Sequence, residues 1–255
     1  MAIEIYGLPA FEDNYIWCLR QGETIAVVDP GDAKPVLEHL AASGRQLSAI
    51  LITHHHRDHT DGIAALRNRY PVPVFAPAAE SIAGTTDAVA GGQRIRVPTI
   101  NIEFDVIDVA GHTRGHVAYY HRGVLFCGDT LFACGCGKLF EGSAEQLHAA
   151  LNKLSALPKA TMVYCAHEYT ASGIRFATAV EPNNVALPDR AAAVQRCLAA
   201  GKPTVPFSLA DELATNPFLR CSQPEVVDAA TRHAGHLLAS ETEVFAALRR
   251  WRDRF

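Results

Sequence analysis

Thr53-His54-His55-His56-Arg57-Asp58-His59 follows directly on the apolar run Ala49-Ile50-Leu51-Ile52, and the reading of this junction decides the fold. The apolar run has the continuity of a buried strand, so the polar cluster falls in the loop at its C-terminal end. His54, His56, Asp58 and His59 are candidate metal ligands. Imidazole with carboxylate suits zinc, iron or manganese, and this spacing can serve two ions side by side. A His-rich tract can also be a solvated loop or a tag, but a tag would be terminal and would lack the carboxylate. Ligand-type residues that recur downstream at equivalent places argue against both.

Downstream, residues 62–70 read as a helix closed off by Pro71, and 72–76 as a strand whose proline places it near a sheet edge. Residues 81–96 give weak signals. Residues 100–109 alternate as a long strand and run into Ala110-Gly111-His112-Thr113-Arg114-Gly115-His116. His112 is the next ligand candidate, with Gly111 allowing a tight turn. His116 reads as holding that turn by hydrogen bonding, and His121 as a surface histidine. Residues 117–120 and 124–127 form a hairpin-like pair ending in Gly128-Asp129, where a carboxylate has two oxygens with which to bridge two cations. Cys134-Gly135-Cys136 lacks matching thiolate partners and reads as packing. Ser143 and Gln146 form a capping box that opens a helix to Leu157, and 161–165 is a further strand with His167 just beyond it. Strand after strand therefore ends in a ligand-type residue. In layered α/β folds such ends gather at one edge of the sheet, where sites form.

Upstream, residues 3–6, 15–20 and 24–29 read as short strands, an antiparallel opening. The third ends in Asp29-Pro30-Gly31, where Asp29 has the look of a turn residue bonding its own backbone. Residues 35–43 carry helical spacing (Val36, Leu37, Leu40, Ala41), with Gly44 as C-cap. Beyond about residue 170 strand-like alternation stops. Helical periods take over at 171–180, 189–200, 209–214 and 224–234, and in a last helix opened by a capping box of Ser240 and Glu243. This divides the chain into a catalytic α/β part, 1–170, and an α-helical part, 171–255.

Composition sets outer bounds. The 255 residues are 49% hydrophobic and 20% charged, ordinary for a globular protein, and the net charge of −4 gives no reason to expect nucleic acid or an anionic membrane as partner. The cysteines are 7 in number, odd and scattered, which suits reduced thiols better than a disulfide frame. Met1-Ala2-Ile3-Glu4-Ile5 shows neither a basic region nor a long apolar one, so no secretory leader is expected and the cytoplasm is the expected compartment. No apolar run approaches membrane-spanning length.

The pattern His-x-His-x-Asp-His resembles the signature of the metallo-β-lactamase superfamily, and the later pieces narrow the resemblance to the glyoxalase II (hydroxyacylglutathione hydrolase) branch, over essentially the whole chain. The resemblance implies an αββα sandwich with a C-terminal α-helical domain. It implies that His54, His56 and His112 hold one divalent ion, that Asp58, His59 and His167 hold a second, and that Asp129 bridges them. Zinc is the expected metal, with iron or manganese compatible. A hydroxide shared by the ions, held with Asp58 and Asp129, would be the nucleophile. The expected reaction is hydrolysis of S-D-lactoylglutathione and related 2-hydroxyacyl thioesters to D-lactate and glutathione, in methylglyoxal detoxification. A thioester suits this device, because its thiolate leaving group has a parent pKa of about 8.5 and leaves without a strong general acid. The resemblance further gives Asp29 a supporting role beside the metals, and makes Lys138, Tyr169, Arg249 and Arg252 glutathione-binding positions. Phe140 stands where the family usually has tyrosine, and Arg252 where it usually has lysine. Cations at a helix C-terminus are also favoured by the dipole whatever the function. The expected partner is a small glutathione thioester, and the expected state a monomer.

Rival readings are a persulfide dioxygenase, a lactonase or a nuclease on the same fold, or a metal-binding scaffold without catalysis. The complete second ligand set and the helical tail argue against the dioxygenase. The acidic charge balance argues against the nuclease. No Gly-x-Ser-x-Gly elbow is present for a serine hydrolase.

Overall fold

The computed structural model describes residues 3–97 and 100–255, so the first two residues of the N-terminal reading lie outside the described residues. The chain forms two compact units, residues 1–108 with 113–128, and residues 109–112 with 129–255.

The first unit opens with β1 (Glu4–Ala10), β2 (Asn14–Gln21) and β3 (Thr24–Val28), each antiparallel to the next. After α1 (Ala33–Ser43), β4 (Gln46–Leu51) lies parallel to β3. The short α2 (Arg57–Thr60) and α3 (Ile63–Arg69) lead to β5 (Val74–Pro77) and β6 (Asp87–Val89), again parallel, completing a 6-stranded sheet in chain order. Then β7 (Arg94–Val97), β8 (Ile102–Asp108), β9 (Val117–His121) and β10 (Val124–Gly128) pair antiparallel in succession.

The sequence explains these choices. Strand β3 and most of β4 are buried on both faces, as continuous apolar parallel strands must be. Ile25, Val27, Ile50 and Ile52 face the helices and pack on Val36, Leu40, Ile63 and Leu66. In β8 the alternation is strict, with Ile102, Phe104 and Val106 buried between more exposed neighbours. The β9–β10 hairpin turns on Arg122 and Gly123 at φ 43° and 86°, the left-handed pair that matches strand twist. Asp32 caps α1 by accepting from Lys34 N–H at 2.9 Å, and Gly44 at φ 67° ends it. Strand β5, read as near an edge, has only the three-residue β6 outside it. The two sheets are stapled by one buried phenol. Tyr119 Oη on β9 donates to Ile52 O at 2.8 Å and lies 3.3 Å from Phe75 O.

The second unit holds a minimal hairpin, β11 (Leu131–Phe132) and β12 (Gly135–Cys136), then α4 (Ala144–Ser155) and β13 (Met162–Cys165). Its helices α5 (Thr170–Val180), α6 (Leu187–Ala199), α7 (Leu209–Thr215), α8 (Pro224–Ala234) and α9 (Glu241–Arg252) follow, with β14 (Phe207–Ser208) before α7. Strand β14 pairs antiparallel with β13, in the part read as α-helical but between two of its helices; two residues are too few to show a period. The core is aromatic: Phe176 stacks on Phe218 at 5.7 Å, Phe218 meets Phe245 edge-on at 5.6 Å, and Phe245 stacks on His148 at 5.3 Å. The Ser143 capping box closes from both sides. At α9 the box is only half formed. Ser240 Oγ accepts from Glu243 N–H at 3.2 Å, but the Glu243 carboxylate accepts from Ala239 N–H at 2.7 Å instead of the N-cap amide. No described helix is long and apolar enough to cross a membrane.

Two stability measurements follow. Tyr119→Phe should cost about 1–3 kcal/mol, the range for a buried carbonyl that loses its donor, read as a lower urea midpoint at unchanged slope. His148, buried against Phe245, has its pKa held below the ordinary histidine value by burial. The unfolded chain therefore takes up the proton first, and stability should drop as pH falls through about 6.5. The difference between parent and His148→Gln, measured from neutral to mildly acidic pH, isolates this contribution; a difference independent of pH would rule it out.

Candidate metal centre

In the first unit the His cluster hangs on Asp29, at the end of β3. Asp29 stands in the left-handed region at φ 53°. Its Oδ1 accepts from Thr53 N–H at 2.7 Å and its Oδ2 from Thr53 Oγ1 at 2.7 Å, while His59 Nδ1 lies 3.1 Å from the same Oδ2. Thr53 Oγ1 has given its proton to Asp29, so its 3.0 Å contact with His54 Nδ1 has it accepting the ring proton. Both rings thereby keep their Nε2 lone pairs for the other side. There His54 Nε2 lies 3.0 Å from His56 Nδ1, and His59 Nε2 lies 3.4 Å from Asp58 Oδ2. Donor atoms of His54 and His59 also come within 4.8 Å of each other. The turn and the loop touch backbone to backbone: a Cβ at Gly31 would sit 1.7 Å from Asp58 O. His116 stacks on His54 at 4.5 Å, and its Nδ1 lies 3.2 Å from Val117 O.

In the second unit His112, Asp129 and His167 converge, all buried. His112 Nδ1 donates to Lys138 O at 2.8 Å, which leaves Nε2 facing Asp129 Oδ2 at 3.5 Å. The other carboxylate oxygen, Oδ1, lies 3.3 Å from His167 Nε2. A nitrogen lone pair that faces a carboxylate oxygen is stable with a cation between them, and neutral imidazole with carboxylate is the donor set of zinc, iron and manganese. The residues fit a metal. Among the described residues no cysteine joins these ligand groups: Cys136 Sγ lies 3.6 Å from Arg249 Nη1 and Cys134 Sγ donates to Thr215 Oγ1 at 3.5 Å, and burial pushes Cys134 up to about 12 and Cys136 up to about 11.

Beside these ligands lies a cavity of about 260 Å³, lined by Lys138, Phe140, Tyr169, Arg249 and Arg252 along with His112 and Asp129. Tyr169 lies flat on His167 at 4.8 Å, and Phe140, 60% exposed, meets His112 edge-on at 5.3 Å. The Lys138 ammonium stands 5.5 Å over the Phe140 ring. Arg249 is 6% exposed and already engaged: Nη1 donates to Cys136 O at 2.9 Å and lies 3.4 Å from Gly137 O, and Nη2 pairs with Asp253 at 3.0 Å. Arg252 donates to Ser172 Oγ at 2.9 Å, and burial, with Arg249 and Arg175 nearby, makes its charge harder to hold. An anion in the cavity would relieve that.

Each unit thus gathers its own share of the residues picked out from the sequence. Two further ones escaped that reading. Asn14, at the start of β2, donates to Asp58 Oδ2 at 3.0 Å, and Glu80 accepts from His55 Nδ1 at 3.0 Å. Asn14 sits in Asp13-Asn14-Tyr15, where an amide at the end of a hairpin turn was the available signal.

A model of the metallo-β-lactamase superfamily matches residues 11–167, and one described as hydroxyacylglutathione hydrolase C-terminus matches residues 168–255. The hydroxyacylglutathione hydrolase of Alkalilimnicola ehrlichii is 53% identical over 253 residues, covering 98% of this chain and 99% of its own. That of Nitrosomonas eutropha is 49% identical over 253 residues, covering 99% of each. Among solved structures, ETHE1 from Myxococcus xanthus superposes with a TM-score of 0.66 over 99% of this chain and 98% of its own; at 23% identity the likeness speaks for the fold alone. The fold is the α/β metallo-β-lactamase fold followed by a helical C-terminal domain. With its two parts matched end to end, and about half its residues shared with full-length relatives, the chain belongs to the hydroxyacylglutathione hydrolase family.

Proposed function

We propose that the protein hydrolyses S-D-lactoylglutathione and related 2-hydroxyacylglutathiones to the hydroxy acid and glutathione, as a step of methylglyoxal detoxification. The observation that carries this reading is Asp129, whose two oxygens face the Nε2 atoms of two different histidines, as a carboxylate shared by two ions must. Relatives about half identical over the whole chain are named for the hydrolysis of hydroxyacylglutathione, and lactoylglutathione is such a thioester.

His54, His56 and His112 would hold one ion, Asp58, His59 and His167 the other, and Asp129 both. We read zinc as the metal, on a donor set that iron and manganese also accept. When bound, such a pair supplies Lewis acidity and lowers the pKa of water from about 15.7 toward 7. The chain's own residues do the rest. Asp29 and the Lys138 carbonyl hold ring protons on His59 and His112 away from the ligand side. Lys138 and Arg252 take the substrate carboxylates as charge-assisted partners, and Tyr169 and Phe140 flank the thioester. Arg249 keeps a place in this set, chiefly by fixing the Cys136-Gly137 carbonyls beneath Lys138. Water adds to the carbonyl carbon, the C–S bond breaks, and the thiolate departs. Residues 1–170 would carry the chemistry together with the Lys138, Phe140 and Tyr169 contacts, and residues 171–255 would bring Arg249 and Arg252 to the substrate side. A cytoplasmic, monomeric protein completes the proposal.

Elemental analysis of fully loaded protein should find about two ions per chain, the number that paired sites require. Asp129→Ala should disturb both and His167→Ala mainly one. Tight binding of a single ion by the intact protein would sink the binuclear reading. Arg252→Ala should lose about 1.5–3 kcal/mol in kcat/KM on the glutathione thioester, and little on a small thioester without the peptide. Arg249→Ala should weaken both substrates, because the loop it fixes also holds His112; a loss confined to the glutathione thioester would return Arg249 to direct substrate binding.

A further inference from the structure

Glu80 belongs to none of the sets above. It follows β5 in a turn where its own N–H donates to Pro77 O at 3.1 Å and Ala78 N–H donates to Val89 O at 2.7 Å. Its side chain is 4% exposed, and a carboxylate so far from water needs donors. It has three. Oε2 accepts from His55 Nδ1 at 3.0 Å, and Oε1 accepts from Gly115 N–H at 3.0 Å and from the Thr113 hydroxyl.

These donors come from two different segments. His55 stands between the candidate ligands His54 and His56, and its ring meets His56 edge-on at 5.1 Å. Thr113 is covalently next to His112, and Gly115 next to His116, whose ring stacks on His54. The packing leaves no slack. A Cβ at Gly115 would lie 2.5 Å from Glu80 Cγ and 2.9 Å from Ala79 Cβ, so only glycine lets the carboxylate approach this backbone.

We propose that Glu80 is a positioning residue of the metal centre, a single buried carboxylate that pins the His54–His59 loop to the Thr113–His116 turn and sets the spacing between them. It touches neither metal nor substrate. It acts through His55 and through the Thr113 hydroxyl and Gly115 amide, which lie between His112 and His116, as outer partners of metal ligands do. The inference rests on the metal reading above.

The test measures zinc affinity by competition with a chromophoric chelator, and thermal unfolding of the metal-free protein, for the parent, Glu80→Ala, Glu80→Gln and Gly115→Ala. The amide of Glu80→Gln keeps an acceptor for Gly115 and Thr113 and offers an N–H toward His55. Metal-free Glu80→Ala and Gly115→Ala should melt below the parent, since one orphans buried donors and the other crowds the turn, while zinc affinity falls by about 10–100-fold in both without following the order of their melting temperatures, with most of it recovered in Glu80→Gln. Unchanged zinc affinity in Glu80→Ala overturns the proposal. So does a loss that tracks the metal-free melting temperature across the three variants, which would make Glu80 a fold residue. A parent without a tight zinc site overturns the metal reading and this proposal together, whereas a tight parent with an unchanged Glu80→Ala removes this one alone.

Discussion

An imidazole can ligate only through a nitrogen that has lost its proton, so the other nitrogen must be given somewhere to keep one. That constraint organises much of the molecule. Asp29 meets it for His54 through Thr53 and faces His59 Nδ1 at 3.1 Å, from a left-handed backbone that, glycine aside, short polar residues hold most readily. A backbone carbonyl, that of Lys138, meets it for His112. The strands that deliver these partners, and the glycine at position 31 that lets turn and loop touch, are placed for the sake of those hydrogen bonds as much as for the core.

The residues around the cavity divide by what their polar groups are already doing. Arg249 has nearly spent its guanidinium on two carbonyls and Asp253, so its charge is part of the wall. Arg252 has one neutral partner in Ser172 and like charges for neighbours, a site that gains from an incoming carboxylate. Phe140 can offer no hydroxyl, and gives the Lys138 ammonium a ring face to rest on. Two arginines a single helical turn apart thus differ in kind, for reasons of burial and pairing.

The sequence made the site legible where chemistry is local. The His54–His59 cluster lies in one short stretch, a loop running into the first turn of α2, and His112, Asp129 and His167 each follow a strand, so spacing and strand ends exposed them. Asn14 and Glu80 were not legible, because each acts on residues far along the chain, and neither amide nor carboxylate is unusual in a turn. The fold divides the same way. Strands β3, β4 and β8 announce themselves by apolar continuity or alternation; β6, β11, β12 and β14 are pairings of two or three residues that no periodicity can show. The helix caps were readable as motifs, yet whether Glu243 bonds to Ser240 or to Ala239 is decided by the path of the chain before the helix.

Cys136 lines the cavity in which a thioester is proposed to be cut. A thiolate there would be a rival nucleophile: it could take the acyl group from the sulfur of glutathione and keep it, since exchange between thioesters is nearly neutral in energy. Burial pushes this thiol up to about 11, so at neutral pH it is held as the thiol. The same dry packing that shapes the wall therefore keeps the enzyme from acylating itself, and leaves water as the acceptor.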